Sequence, residues 1–318
     1  MVFKLKSVRK KLILKKRIIF LLGPTGVGKS AVAIPLAKKI NAEIISCDSM
    51  QVYRRMDILT SKVAFAQRKK VKHHLLSLIN PQQEYDVARY RQEALAICDK
   101  IFAKGKIPLF VGGTGLYYSM LVDGLFPAVP QDKLIRLKLE KQLKLKGNKY
   151  LYRSLAKVDP AAAKKIHPHD AKRIIRALEV YLKTGMPISR LQKNRVGLGK
   201  EYQVKIFGLN SVRQSLYDAI DKRVDKMFNS GLINEVKRLL KYKLSRTAKC
   251  AIGIRELEGY FAGWYSLAEA RRLMQRNSRH YAKRQLTWFK KDKRIQWFNI
   301  NKTESPAQIA LKLWKKLS

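Results

Sequence analysis

The chain has 318 residues and a formal net charge of +45 at pH 7, because 68 residues are Lys or Arg and only 23 are Asp or Glu. Its hydrophobic fraction of 46% supports one large folded domain, or a core domain with an insertion, and argues against a disordered chain. The cationic excess indicates a polyanionic partner, most simply a nucleic acid, although a lysine-rich composition with solvated faces would also produce it.

Cysteines and apolar runs restrict the cellular setting. Cys47, Cys98 and Cys250 are scattered, and no pair has the spacing of a zinc knuckle, so we expect a reducing, cytoplasmic compartment with neither disulfides nor zinc. No apolar run approaches the length of a membrane span, so no membrane partner is expected. Residues 1–17 are basic but lack the apolar region and cleavage site of a secretion signal; a strand extension, a disordered arm and a transit peptide stay open.

The first informative motif is Gly-Pro-Thr-Gly-Val-Gly-Lys-Ser at residues 23–30, which fits the phosphate-binding pattern G-x-x-x-x-G-K-[ST] in full. A buried strand is predicted before it at 18–22 and a helix after it at 31–37, in which Pro35 should cause a kink unless it lies near the start of the helix. The backbone N–H groups of such a loop surround an anion, as in ATP-binding proteins, while its lysine supplies a charge and its serine a ligand for Mg²⁺. The predicted anion-binding residues are Gly23, Pro24, Thr25, Gly26, Val27, Gly28, Lys29 and Ser30.

Polar residues follow the second predicted strand, residues 43–47, with Asp48-Ser49-Met50-Gln51 directly after it. The carboxyl ends of strands in an open α/β sheet are where ligands bind, so this segment is a candidate site. A third strand is predicted at 73–78. Its His73-His74 pair is interpreted as structural or hydrogen-bonding, since no Asp, Glu or Cys is spaced to complete a metal site.

Asp86 is predicted to cap a helix that runs to about Ala103, and a strand at 107–111 ends in Gly112-Gly113-Thr114-Gly115. Strands thus alternate with helices, which predicts an α/β fold with the parallel sheet of a P-loop nucleotide-kinase-like core. Strand 107–111 lacks the Walker-B aspartate with which ATPases hold Mg²⁺. Asp48 is the only acid close to the ligand edge, so the loop is expected to serve something other than ATP hydrolysis, unless Asp48 itself serves the metal.

A region of purely helical patterns follows, and we interpret it as an all-helical insertion into the core. Its helices are predicted at 132–146, 160–166 and 170–183. The predicted domains are a first part of the core at 1–126, a helical insertion at 127–201 and a second part of the core at 202–318. Sheet character returns at 202–209, and an amphipathic helix at about 216–227 follows it.

The last long helix is predicted to begin with a capping box, in which Ser266 and Glu269 satisfy each other's backbone N–H groups. One stripe at seven-residue spacing is predicted to face the core: Leu267, Met274, Tyr281 and Trp288. A second stripe is basic: Arg272, Arg276, Arg279 and Lys283. Residues 271–294 hold ten Lys or Arg and one acid, Asp292, so we expect no ion pair within the helix and relief of its repulsion by RNA or DNA phosphates.

These motifs, in this order, resemble the bacterial tRNA dimethylallyltransferase family, the tRNA isopentenyltransferases, over nearly the whole chain from about residue 17. Further markers are His74-Leu75, Leu116-Tyr117, Asp159-Pro160, Arg173, 176–180, Thr184-Gly185, Ile252-Gly253 and 282–288. The resemblance implies transfer of a dimethylallyl group from dimethylallyl diphosphate to the N6 amine of the adenosine 3′ of the tRNA anticodon, with release of diphosphate. It also implies a P-loop core with a helical insertion, Mg²⁺ dependence, a monomer, and a loop that holds the donor's diphosphate in place of ATP.

The resemblance further implies individual roles. Asp48 would be the general base for the adenine amine, and Arg223 would help Lys29, the loop N–H groups and Mg²⁺ on Ser30 to stabilise the leaving diphosphate. The adenosine would have to flip out of the anticodon loop to reach them. The catalytic residues implied are Asp48, Lys29, Arg223 and Thr114. The tRNA-contacting residues implied are Asp48, Ser49, Met50, Gln51, Thr114, Arg136, Lys172, Arg173, Ile174, Ile175, Arg176, Cys250, Ala251, Ile252, Gly253, Ile254, Arg255, Ser278, Arg279, His280, Tyr281, Ala282, Lys283, Arg284 and Gln285.

Several alternatives stay open at this stage. Asp48 could be only a hydrogen bonder at the end of a strand, and Thr114 could only shape a turn. Arg223 could pair with Asp218 or Asp221. The whole chain could be a P-loop small-molecule kinase, an adenylate prenyltransferase acting on free nucleotide, or a non-catalytic RNA-binding protein.

The chain also departs from the family pattern in places. Leu59-Thr60-Ser61-Lys62-Val63 stands where Gly-Thr-Ala-Lys-Pro is usual. Ile254 stands where an aromatic residue is usual, and Ser278 where Thr is usual. These positions bear on the shape of the first loop and on the contacts to the anticodon.

Overall fold

A computed structural model describes residues 16–125, 129–301 and 303–317 of the chain. The expectations for the basic segment before residue 16 and for a domain boundary at 126–127 fall outside these residues. The structure divides into two compact units, one formed by the chain up to Tyr118 and from Glu201 onward, the other by residues 119–200.

The first unit is built on a six-stranded, all-parallel sheet with the strand order β3-β2-β4-β1-β5-β6. The strands are β1 Arg17–Leu22, β2 Ala42–Cys47, β3 His73–His74, β4 Ile107–Gly112, β5 Gln203–Asn210 and β6 Gln296–Asn299. The predicted α/β fold with a parallel sheet is therefore confirmed. The predicted third strand ends early, because Leu75 and Ser77 take left-handed backbone angles with φ of 59° and 52°.

The central strands are almost entirely apolar, which explains why they form the middle of the sheet. Residues 18–22 of β1 are completely buried, and the rings of Phe20 and Phe110 stack across β1 and β4 with their centroids 4.7 Å apart. Such continuous apolar runs are typical of parallel strands that are covered by helices on both faces. The three central strands consequently end together at one edge, where Leu22, Cys47 and Gly112 lie in register.

Thirteen α-helices occur among the described residues. In chain order they are α1 Lys29–Lys39, α2 Phe65–Arg68, α3 Val87–Phe102, α4 Gly115–Val122, α5 Lys133–Val158, α6 Pro160–Ala163, α7 Ala171–Thr184, α8 Ile188–Leu191, α9 Arg213–Asn229, α10 Leu232–Leu239, α11 Ile254–Phe261, α12 Leu267–Phe289 and α13 Pro306–Trp314. None of the helices in this part of the chain is both long and apolar enough to cross a membrane. Helix α1 continues through Pro35 to Lys39, because the buried residues on both sides of the proline hold it against the sheet.

The second unit is helical, as predicted for this region. Helix α5 is interrupted at Gly147, whose φ of 74° and ψ of 173° are not helical. Its first segment therefore ends at 146 as predicted, whereas the second segment, which runs to Val158, was not predicted. Asp159 and Asp170 accept hydrogen bonds from the backbone N–H groups that open α6 and α7. The core of the unit is formed by apolar residues of α5–α8, among them Leu155, Ile174 and Val180, which are completely buried.

Helix α12 differs from its prediction in its cap and in its ion pairs. The Ser266 hydroxyl accepts the Glu269 N–H, but the Glu269 carboxyl group bonds Arg272 rather than returning to Ser266, so only half of the capping box forms. The Arg272–Glu269 pair also contradicts the expectation of no ion pair within the helix. That expectation rested on the residues 271–294, and Glu269 lies just before them. Arg279 pairs with Asp221 of α9 at 2.7 Å, so the protein itself relieves part of the repulsion.

The predicted core stripe of α12 was also wrong in part. Met274 is buried, but Leu267 and Tyr281 are half-buried and Trp288 is 39% exposed. Half of the residues on the buried face are small; the face carries Ala270, Met274, Ser278, Ala282, Gln285 and Phe289. A face with small side chains lets the helix lie close to the loops that follow β1 and β4.

Candidate active site

The phosphate loop, residues 23–30, joins β1 to α1. Gly28 is the N-cap of α1 with a left-handed φ of 89°, and the N–H groups of Gly28, Lys29 and Ser30 have no acceptor among the described residues. A Cβ atom at Gly26 would lie 2.6 Å from the Ile220 side chain, so glycine is required there for packing as well as for its φ of 85°. Free N–H groups at a helix N-terminus form a ready site for an anion.

Lys29 lies within this loop, and its ammonium group is held by the loop itself. Its Nζ donates to the carbonyl oxygens of Gly23 at 2.9 Å and Pro24 at 2.7 Å. Burial of the ammonium lowers the pKa of Lys29 to about 7, against the opposing effect of Asp48, and the nearby Arg223 lowers it further. Lys29 can therefore gain or lose its proton close to neutral pH.

Arg223 reaches the same loop from α9. Its Nη1 donates to the Thr25 hydroxyl, whereas Asp221 is taken by Arg279, so the alternative pairing of Arg223 with Asp221 does not occur. Burial lowers the pKa of Arg223 and the Asp48 carboxylate raises it. The enclosed Nε atom of Arg223 has no hydrogen-bond partner among the described residues, which leaves a donor available for a ligand.

Asp48 follows β2 directly and is half-buried. Its Oδ1 accepts the Met50 N–H at 2.9 Å, so it does shape the local turn, as one alternative proposed. Asp48, Lys29 and Arg223 also line one cavity of about 1160 Å³, and the carboxylate perturbs the pKa of both cations. A carboxylate, two cations and the phosphate loop thus share one partly enclosed space at the carboxyl edge of the sheet.

Two side chains hold the loops of this edge together. The Thr114 hydroxyl accepts the Ser49 N–H at 3.0 Å, and the Thr114 N–H donates to the Cys47 carbonyl oxygen. Thr114 therefore does more than shape its own turn. Gln285 of α12 is 6% exposed; its Oε1 accepts the Thr25 N–H and its Nε2 donates to the Gly113 carbonyl oxygen, both at 2.8 Å. Both polar atoms of Gln285 are consequently engaged inside the protein.

Known proteins are similar to this chain over almost its whole length. The family profile described as IPP transferase matches residues 51–292, and a profile described as Isopentenyl transferase matches residues 16–76. The chain belongs to the IPP transferase family. It is therefore an enzyme of the prenyl-transferring class, and its resemblance to the tRNA dimethylallyltransferases is confirmed.

Individual relatives support the same assignment to the IPP transferases. The tRNA dimethylallyltransferase of Carboxydothermus hydrogenoformans is 47% identical over 302 residues, covering 94% of this chain and 97% of the relative. The solved tRNA isopentenylpyrophosphate transferase of Bacillus halodurans is 37% identical with a TM-score of 0.69, covering 95% of this chain and 97% of that one. A eukaryotic dimethylallyltransferase acting on tRNA is 29% identical with a TM-score of 0.81, covering 95% and 79%.

On the first unit of this IPP transferase, Thr114, Arg279 and Gln285 make the internal bonds described above, and the other residues predicted to contact tRNA fall into three groups. Those that line the cavity are Asp48, Ser49, Met50, Gln51, Cys250, Ala251, Ile252, Ser278, Tyr281 and Arg284. Those whose side chains are exposed elsewhere on the first unit are Arg255, His280 and Lys283. Gly253, Ile254 and Ala282 are buried in packing between helices, so they are not available to a partner.

The predicted tRNA contacts on the helical unit are likewise divided. Lys172 and Arg173 are exposed, whereas Ile174 and Ile175 belong to the core of that unit. The guanidinium groups of Arg136 and Arg176 both approach the completely buried Glu179, at 3.4 Å and 2.8 Å. These two arginines are therefore already held by an acid, which fixes the direction in which they point.

The sequence did not allow one side of the cavity to be predicted. This side is a loop at residues 57–62, which we call the wall loop. Thr60, Ser61 and the other residues of this loop line the cavity, together with Lys226 and Ser230 from α9 and its end. In the sequence this segment was noticed only as a departure from a family pattern. Its polar residues were the available signal, but they do not follow a predicted strand.

The donor atoms of the cavity suit Mg²⁺ only in part. The described residues contain no group of three or more His, Cys, Asp or Glu that could hold a metal ion by themselves. Ser30 and Asp48 nevertheless offer a hydroxyl and a carboxylate oxygen to the same cavity. Mg²⁺ is commonly bound by one or two such groups plus substrate phosphates, so these residues fit an ion that arrives with a diphosphate.

Proposed function

We propose that this IPP transferase moves a dimethylallyl group from dimethylallyl diphosphate to the N6 amine of the adenosine 3′ of the anticodon in tRNA, and that diphosphate is released. The observation that carries the proposal is the shared cavity, with an anion cradle and two cations on one side and the Asp48 carboxylate beside them. The names of the relatives and solved neighbours support tRNA as the acceptor, and the donor follows from that activity.

In the proposed reaction the phosphate loop holds the diphosphate of the donor. As the allylic C–O bond breaks, negative charge grows on the leaving diphosphate. The N–H groups of the loop, the Lys29 ammonium and the Arg223 guanidinium are arranged to stabilise that charge in a partly enclosed site. Mg²⁺ held by Ser30 would supply further positive charge to the phosphate oxygens when bound.

Asp48 is proposed to act on the acceptor. The N6 nitrogen forms the new bond to the allylic carbon while diphosphate leaves, and one N6 proton then passes to the Asp48 carboxylate. A stacked adenine cannot enter the cavity, so the nucleotide must flip out at a cost of roughly a few kcal/mol. The exposed Arg276, Lys283 and neighbouring cations of α12 would hold the phosphates of the anticodon stem-loop.

The decisive experiment uses labelled dimethylallyl diphosphate and unmodified tRNA. Label on the RNA is the expected result, and digestion to nucleosides should locate it on the adenosine 3′ of the anticodon. Label on AMP but not on tRNA would instead identify an adenylate prenyltransferase, and turnover of ATP would identify a kinase. Tight tRNA binding without transfer of label to any acceptor would leave a non-catalytic RNA-binding protein. We also infer that the enzyme acts as a cytoplasmic monomer, which sedimentation and cell fractionation can test.

A further inference from the structure

The wall loop contains three successive backbone N–H groups that converge on one acid. Glu235 of α10 accepts the N–H groups of Asp57 at 3.0 Å and Ile58 at 2.9 Å on its Oε2, and that of Leu59 at 2.8 Å on its Oε1. Its side chain is 6% exposed. Converging backbone N–H groups form an anion-binding concavity, and here an internal carboxyl group occupies it.

The rest of the wall loop is closed on itself. The Lys62 N–H donates to the Asp57 carbonyl oxygen at 2.9 Å, and the Lys62 ammonium reaches the Asp57 carboxylate and the Ser77 hydroxyl. Ser61 takes a left-handed φ of 48°, which a residue with a side chain adopts only when its surroundings impose it. The loop therefore has one tightly defined shape, and Glu235 is its attachment to the helices.

A second set of bonds joins the wall loop to the segment that carries Asp48. The Gln51 Nε2 donates to the Thr60 carbonyl oxygen at 3.3 Å, and the Gln51 Oε1 accepts the Ser46 hydroxyl at 3.0 Å. Gln51 and Asp48 lie in the same turn after β2. A displacement of the wall loop would consequently move that turn, and the wall loop and Asp48 line the same cavity.

We propose that Glu235 is a positioning residue for prenyl transfer: through the wall loop and Gln51 it fixes where Asp48 meets the acceptor. Glu235 itself does not line the cavity and touches no reacting atom. The inference rests on the proposed function, because it assumes Asp48 as the base. It goes beyond that function because it assigns a catalytic effect to a buried acid on α10.

The test measures single-turnover transfer with saturating enzyme, separating the rate constant from the amplitude. In Glu235→Ala the rate constant should fall by about 10–100-fold, the size expected when a reacting group moves by about 1 Å. In Glu235→Gln the rate constant should fall less, because the amide oxygen of glutamine still accepts hydrogen bonds. Some loss remains, because its NH₂ group faces N–H donors and cannot accept from them. The tRNA dissociation constant should stay within about twofold, because the basic groups of α12 are untouched.

Glu43→Gln provides the matched control. Glu43 is an equally buried acid of the same unit, at the amino end of β2, where it bonds His74 at 2.7 Å. Glu43→Gln should at most lower the amplitude and should leave the rate constant unchanged. The proposal would be overturned if both Glu235 variants kept the rate constant of the wild type. It would also be overturned if Glu43→Gln lowered the rate constant as much as the Glu235 variants do. Label transfer by the wild type keeps this outcome separate from failure of the proposed function.

The route through Gln51 is tested by a double-mutant cycle. Gln51→Leu in the Glu235→Ala background should add little to the loss of rate, because both changes release the same loop. Fully additive losses would show that Glu235 acts by another path and would contradict the mechanism. Amide exchange gives a measurement that needs no activity: the N–H groups of 57–59 should lose protection in Glu235→Ala, and unchanged protection would contradict the anchoring.

Discussion

Two loops with converging backbone N–H groups border the active site, and they differ in what satisfies those groups. In the phosphate loop the N–H groups of Gly28, Lys29 and Ser30 have no acceptor among the described residues. In the wall loop the three N–H groups of 57–59 are all bound to Glu235. The same backbone feature is thus a ligand site in one loop and an internal attachment in the other, and the presence of a nearby buried acid decides which.

The largest effect is expected at Asp48, which lies between the two loops. Asp48→Asn keeps the Met50 N–H acceptor but removes the base, so transfer should fall on the order of 10³-fold. The tRNA dissociation constant should stay unchanged. Rapid-quench transfer assays and filter binding check both quantities. A rate within tenfold of the wild type would mean that the acceptor proton leaves by another route.

A methyl group added to the phosphate loop should weaken donor binding and leave tRNA binding unchanged. Gly26→Ala places a Cβ 2.6 Å from Ile220 at a φ of 85°, so the donor KM should rise at least about tenfold while tRNA binding persists. Gly105→Ala is the matched control, since its φ is 65° and its Cβ would meet nothing within 4 Å. An equal rise of the donor KM in both variants would show that general strain, rather than the cradle, is being measured.

The protonation of Lys29 makes the phosphate loop sensitive to pH. Burial lowers the pKa of Lys29 to about 7, so in the free enzyme the ammonium is charged below that pH and neutral above it. Diphosphate favours the charged form, so donor affinity should weaken by up to about tenfold per pH unit as the pH rises above 7. Calorimetry in two buffers should also detect proton uptake. Lys29→Arg, which stays charged, should give a flat profile; a sloping one would assign the titration to another group.

The smallest effect concerns the link from α12 to the phosphate loop. Gln285→Met removes the acceptor of the Thr25 N–H and should lower the free energy of unfolding by about 1–3 kcal/mol. Gln275→Met removes only a bond from the same helix to the solvent-accessible Asp225 carboxylate, so it should cost less than about 1 kcal/mol. Chemical denaturation measures the difference. Equal stabilities would mean that water replaces the amide at Thr25.

The sequence was sufficient where local pattern and burial agree. The strands at 18–22 and 107–111 are apolar throughout, the strand at 43–47 has an apolar centre at Ile44-Ile45, and the phosphate loop has a signature that its backbone angles require. The seven-residue stripe on α12 failed for a geometric reason. Seven residues of a straight helix turn about 20° less than two full turns, so residues at seven-residue spacing drift around the helix. Trp288 therefore lies away from the face that buries Met274.

Other parts of the site could not be inferred from the sequence because they depend on contacts between distant residues. Glu235 meets its three donors across more than 170 positions of the chain. Gln285 belonged to a segment assigned to tRNA, yet both ends of its amide bind loops of the core. The short strand β6 pairs only with β5 at the edge of the sheet, and its residues are exposed or half-buried, so it lacks the apolar run of the central strands.

The bonds from the Lys29 ammonium to Gly23 and Pro24 have a consequence for turnover. These bonds hold the curvature of the phosphate loop through the loop's own side chain. The entropy of ordering the loop is then lost once, when the chain folds, rather than again with every donor molecule that arrives.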